Sequence, residues 1–196
     1  ARAEGRTGRI RLNRPKAIHA LNTRMCEEMS EALLKWRTDS NVEAVVIDHA
    51  EGRGFCAGGD VVMIARSGSE DAADAKRFFF AEYRLNHLLF TYEKPTVAIM
   101  DGITMGGGVG ISLPCDFRIA TENTRFAMPE TGIGLFPDVG GGWYLPRLPG
   151  RVGEFARDPA SAGKLVRGVV SERTDGGGRR AGLPRRQRLA NLDDWP

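Results

Sequence analysis

Twice in this chain a run of β-branched and apolar residues gives way to clustered glycines that lead into an apolar helix, and no other feature narrows the fold as much. VEAVVID (42–48) reads as a strand, Gly52, Gly54, Gly58 and Gly59 form the loop, and Asp60 stands as the cap of a helix beginning VVMIAR. TVAIM (96–100) reads as a buried strand, DGITMGGG as the second loop, and VGISL as a helix stopped by Pro114. Around these, GRIRLN (8–13), FRIA (117–120) and RFAM (125–128) have the length and residue types of short strands. Thr23 is placed to cap a helix whose Met25, Met29, Leu33 and Trp36 recur at helical spacing. A second long helix is expected from about Asp71 to Tyr92, with Phe78, Glu82, Leu85 and Leu89 on one face and Pro95 beyond its end. Residues 129–137 read as a turn-rich loop before a helix near Val139–Leu145. The order predicts mixed α/β structure built from repeated strand-strand-helix units.

At 196 residues the chain is long enough for one substantial core. The periodicity that marks that core fades near residue 156, so 1–156 is read as the folded body. Residues 157–196 are read as a basic tail, poorly packed, because their apolar residues follow no period and glycine and arginine cluster there. Residues 151–196 hold 10 Lys+Arg against 6 Asp+Glu, so the net charge of +3 belongs to the tail; the body has no basic stripe interleaved with aromatics, and no nucleic-acid partner is expected. Cys26, Cys56 and Cys115 form no CxxC pair, and His19, His49 and His87 have no common spacing, so neither a metal site nor a disulfide framework is expected. No apolar run approaches the roughly 18 residues of a membrane span, and the first residues lack the apolar stretch of a secretory signal. A cytoplasmic protein is the expectation.

Four places could carry chemistry. GRGFCAGGD (52–60) offers flexible backbone and the free N–H groups of a helix start, which suit an oxyanion; a tight turn without a ligand is the plainer alternative. GITMGGGVGISL (102–113) repeats the design, and two backbone donors converging from two loops make an oxyanion hole. A dinucleotide fingerprint is excluded there because Leu113 stands where GxGxxG needs its last glycine, and Ser112 lies outside a GxSxG elbow. In FAMPETGIGLFPDVGGG (126–142), Glu130 and Asp138 are carboxylates in apolar surroundings, which suits acid, base or nucleophilic work; a surface turn for Glu130 and a helix cap for Asp138 are equally open. Glu82, in an apolar helix face, must pair with an arginine, hydrogen-bond or face a cavity.

GFCAGGDV, DGITMGGGVG and FAMPETGIGLFPDVGGG resemble the three signature segments of the crotonase (enoyl-CoA hydratase/isomerase) superfamily, over about residues 8–156. The resemblance implies a crotonase-like α/β spiral of β-β-α units that binds an acyl-CoA, with coenzyme A entering as part of the substrate and no other cofactor. It places the oxyanion donors at Ala57 and Gly107, with Gly58, Gly59 and Asp60 lining the substrate. Hydratases of the superfamily carry two glutamates, and the first of those positions is Gly110 here. The segment 129–150 instead resembles the 3-hydroxyisobutyryl-CoA hydrolases of valine catabolism, which implies catalytic Glu130 and Asp138 and a substrate-contacting Glu82. A hydratase or isomerase using Glu130 alone is the enzyme alternative, and an inactive fragment retaining the fold is another. The first residues already correspond to the family's first strand, and residues after about Phe155 do not resemble its C-terminal helical region, which mediates subunit contacts in a homo-oligomer.

Overall fold

A computed structural model describes residues 1–147. The tail read at 157–196, and the end of the body at 156, lie outside these residues. Seven strands and five α-helices alternate: β1 (Arg2–Glu4), β2 (Thr7–Leu12), α1 (Thr23–Thr38), β3 (Ala44–His49), α2 (Val61–Gly68), α3 (Ala73–Phe90), β4 (Thr96–Met100), β5 (Ile103–Met105), α4 (Gly107–Ser112), β6 (Phe117–Ala120), β7 (Arg125–Ala127) and α5 (Gly141–Tyr144). Short 3-10 turns cover Pro15–Ala17, Glu130–Ile133 and Leu145–Arg147.

The main sheet has the order β1-β2-β3-β4-β6, with β1 antiparallel to β2 and every other pair parallel. The small sheet pairs β5 with β7 in parallel, and Cys56 bridges to Thr104 beside it. Three units therefore follow one pattern. β3, β4 and β6 each lie in the main sheet; of the segments after them, β5 and β7 form the small sheet and Cys56 makes a single bridge to it. The chain turns helical after each second segment, into α2, α4 and the Glu130–Ile133 turn. That repetition places two glycine loops and the Glu130 segment together.

The two long helices form where apolar residues recur at helical spacing. Along α1, Cys26, Met29, Leu33 and Trp36 are buried. Its cap is Asn22, whose side chain accepts the Met25 N–H at 2.9 Å, while Thr23 is the first helical residue. At the other end the Lys94 amine donates to the carbonyls of Trp36 and Asp39, groups a helix end leaves unpaired, and to that of Val42 beyond it. In α3, Phe78, Glu82, Leu85 and Leu89 are buried together, and the core continues through Phe55, Phe126, Ile47 and Met100. All three cysteines are buried with free thiols. Among the described residues no helix is long and apolar enough to cross a membrane.

Candidate active site

The first glycine loop is held by backbone bonds to residues 18–21. Ala57 N–H donates to the Ile18 carbonyl at 2.9 Å, Leu21 N–H to Gly58 at 2.7 Å, and Asp60 N–H to Leu21 at 2.9 Å. Ala57 was expected as an oxyanion donor, and this corrects it: an amide already bonded to a carbonyl has no proton for a substrate. Gly59 lies between the two bonds of a parallel bridge with Leu21, so its own amide is turned to the opposite side, and it has no backbone acceptor among the described residues. Asp60, expected to line the substrate, has a structural part. Its Oδ1 accepts the Met63 N–H at 3.1 Å to cap α2, and its Oδ2 accepts from the Arg14 guanidinium at 2.6 Å. Burial alone would raise this carboxyl; those two partners outweigh burial and hold it below its ordinary value.

The second loop packs on the first. Gly106 has φ 48° and ψ −119°, a conformation left to glycine, and it opens α4. The Gly58–Gly59 peptide lies against Gly107: a β-carbon on Gly107 would stand 3.3 Å from the Gly58 carbonyl carbon and would collide with Glu82 Oε1. At the first turn of α4, the Gly107 amide has no intrahelical partner. Two unengaged backbone donors, Gly59 and Gly107, thus belong to peptides in contact.

The acids converge on this contact. Glu82, 2% exposed on α3, abuts Gly107, and its Oε1 has no hydrogen-bond partner among the described residues. Glu130, 8% exposed, opens the 3-10 turn after β7; its Oε1 would stand 2.9 Å from a β-carbon on Gly106, and its Oε2 is likewise unpartnered. Burial, reinforced by the charges of Asp138 and Glu130, pushes Glu82 up to about 8. Glu130 rises to about 7 for the same first reason, with Asp138 adding to it against a backbone hydrogen bond. Asp138 is half-buried, and burial raises it as well, opposed by Tyr83, whose hydroxyl donates to Asp138 Oδ2 at 2.7 Å.

The open alternatives close in turn. Among the described residues Glu82 makes no ion pair with an arginine. Glu130 is not on a surface turn, and α5 is preceded by Gly140 with no side-chain cap, so Asp138 is not its cap. Two contributors were missed in the sequence. Tyr83 carried one signal, its place next to Glu82 on α3. Val139 carried none: it adopts φ 40° and is 6% exposed, and its Cβ would stand 2.6 Å from a β-carbon on Gly110. The space beside Gly110 is filled by the Val139 side chain. A cleft of about 650 Å³ beside Arg53, Asp101 and Arg125, at the ends of β3, β4 and β6, contains none of the three acids.

Several known proteins are similar to this chain. A Danio rerio protein, "3-hydroxyisobutyryl-CoA hydrolase, mitochondrial", is 48% identical over 180 residues, 87% of this chain and 47% of its own length. "Small ribosomal subunit protein mS47" of Neurospora crassa is 49% identical over 149 residues, covering 74% of this chain and 29% of that protein. The crystal structure of a carnitinyl-CoA dehydratase from Mycobacterium thermoresistibile superposes with a TM-score of 0.77 at 51% identity, covering 79% of this chain and 46% of that one. The chain spans about half the length of such relatives. The Danio rerio relative overturns the cytoplasmic expectation, since its name places it in mitochondria. That expectation rested on unpaired cysteines and the lack of an apolar run, and neither separates one reducing compartment from another. Residues 7–160 match the enoyl-CoA hydratase/isomerase family. The chain belongs to that family, and its α/β architecture is the crotonase-like spiral of β-β-α units.

Proposed function

We propose that this chain carries the oxyanion loops and acids of an acyl-CoA thioester hydrolase acting on 3-hydroxyisobutyryl-CoA or a similar short 3-hydroxyacyl-CoA, a reaction of valine catabolism. The observation that carries the reading is the pairing of a closed position with an open one. Val139 fills the space a glutamate at Gly110 would need, while Glu130 keeps an unpartnered oxygen beside the second loop. A hydratase of this family uses both acids. A hydrolase needs one carboxylate at the carbonyl. The hydrolase relative supports the same conclusion.

In this reading the Gly59 and Gly107 amides receive the thioester oxygen, each such donor being worth about 10²–10³ in rate. Glu130 as carboxylate attacks the carbonyl carbon or takes the proton of an attacking water, the tetrahedral oxyanion rests on the two amides, and its collapse breaks the C–S bond and releases the CoA thiolate; where Glu130 itself has attacked, water then hydrolyses the acyl–Glu130 anhydride to the free acid and restores the carboxylate. Asp138, oriented by Tyr83, accepts the substrate's 3-hydroxyl. Glu82 stays protonated at neutral pH and can donate where its Oε1 faces the loop contact. No metal or redox group enters these steps.

A second reading, a structural part in a larger assembly, draws on the ribosomal relative. Release of CoA from 3-hydroxyisobutyryl-CoA, followed with a thiol reagent, separates the two. Steady release above the uncatalysed rate is expected, and its absence favours the structural reading.

A further inference from the structure

We infer that His19 is a positioning residue for the oxyanion loop: its imidazole pins a left-handed corner at Ile18–His19, and that corner's backbone holds the Ala57–Asp60 loop that presents the Gly59 amide. Only the kinetic part of the test rests on the thioesterase reading.

Ile18 and His19 have φ values of 47° and 53°. Two consecutive left-handed residues, one of them β-branched, are uncommon and persist only where the surroundings over-determine them. Here backbone bonds from Ile18 N–H to the Pro15 carbonyl at 3.0 Å and from His19 N–H to the Arg14 carbonyl at 2.9 Å close the turn, and His19 adds the side-chain constraint. It is 0% exposed, its Nδ1 accepts the Arg14 N–H at 2.9 Å, and its Nε2 lies 2.8 Å from the Glu51 carbonyl oxygen. A carbonyl only accepts, so Nε2 carries the proton and Nδ1 the lone pair, and both nitrogens of the neutral ring are used. The ring thereby joins residue 14 to residue 51, the start of the first glycine loop. Arg14 reaches the loop's other end, donating to the Ala20 carbonyl at 3.0 Å and to Asp60 at 2.6 Å. Between these tethers lie the bonds from Ala57 to Ile18, from Leu21 to Gly58 and from Asp60 to Leu21. A loop with glycines at 52, 54, 58 and 59 has little stiffness of its own, and its donor geometry is supplied from residues 14–21.

The test compares wild type, His19→Ala and His19→Gln in the full chain by amide hydrogen exchange and by CoA-release kinetics. The Ala variant loses both ring contacts, whereas glutamine keeps one acceptor and one donor. With alanine, the Ala57 and Asp60 amides are expected to exchange at least about tenfold faster while Ile47 in β3 is unchanged. The kcat is expected to fall about tenfold or more with KM within about threefold, and glutamine to restore part of both losses. Unchanged protection at Ala57, or a loss spread equally over β2 and β3, overturns the proposal. If His19→Ala does not fold, Arg14→Met, which cuts the other tether, takes its place, with the same selective pattern expected and a uniform or absent change overturning it. A wild type without thioesterase activity sinks the functional reading, and the exchange pattern then decides the clamp alone.

Discussion

The first glycine loop and the Glu130–Asp138 segment meet at one site and are held by different means. The loop is fixed by backbone: Ala57, Gly58 and Asp60 bond to residues 18–21, and Cys56 exchanges bonds with Ile103 and Met105. The acid segment closes mostly on itself, with Gly132 N–H to Pro129 at 2.9 Å and Leu135 N–H to Glu130 at 3.0 Å, and it leaves Ile133 and Phe136 exposed. Its carboxyls are set by burial and by one tyrosine. The contrast follows from what each part does. A donor works without changing state, so it can be locked into a bonded loop. An acid must gain or lose charge, and among the described residues Glu130 keeps one oxygen unpartnered in surroundings that raise it.

The acid side should break most sharply. Glu130→Gln removes the charge without opening a cavity, and hydrolysis is expected to fall by about 10²–10⁴ with the fold and CoA binding retained. A variant within about tenfold of wild type, less than ~1.4 kcal/mol of lost transition-state stabilisation, would remove Glu130 from the mechanism. On the donor side, Gly107→Ala drives a methyl into Glu82 Oε1 and the Gly58 carbonyl carbon, and a loss of about 10²–10³ in kcat is expected from disturbing one donor.

Smaller effects sharpen the electrostatic half. Glu130 acts as carboxylate, so the rate should rise through its pKa of about 7 and fall toward tenfold per pH unit below it. Tyr83→Phe takes from Asp138 the hydrogen bond that lowers its pKa, so the Asp138 pKa moves further up. A loss under about tenfold at pH 8 that deepens at lower pH is expected from pH–rate profiles; a uniform loss would mean that Tyr83 acts by packing alone. The smallest effect concerns stability. Glu82 is raised from 4.5 to about 8, so across that window the folded chain holds a proton that the unfolded chain releases, and stability falls as pH rises, the loss being complete above about 8. Glu82→Gln should therefore raise the melting temperature at pH 9 more than at pH 5; an equal change at both would show that Glu82 is not held protonated by burial.

Much of this was legible one residue at a time. The stripe of α3 exposed Glu82 as a carboxylate among apolar residues, Asp60 announced the cap of α2, and strand-loop-helix order gave the mixed architecture. β1 and β5, three residues each, are too short to show alternation. The choice of Gly59 over Ala57 was hidden because Ile18 and Leu21, some forty positions away, decide which amides in the loop are spent. Tyr83 and Asp138 are 55 residues apart, and the fit of Val139 against Gly110 depends on a left-handed φ that valine gives no reason to expect. Local pattern identified the parts, while the pairing of loops assigned them.

The most direct measurement sets CoA release from 3-hydroxyisobutyryl-CoA against loss of crotonyl-CoA absorbance, in one preparation at equal substrate concentration. With Val139 in the space beside Gly110 and a single acid at the carbonyl, thiol should appear while hydration stays negligible. Hydration faster than thiol release would contradict the account.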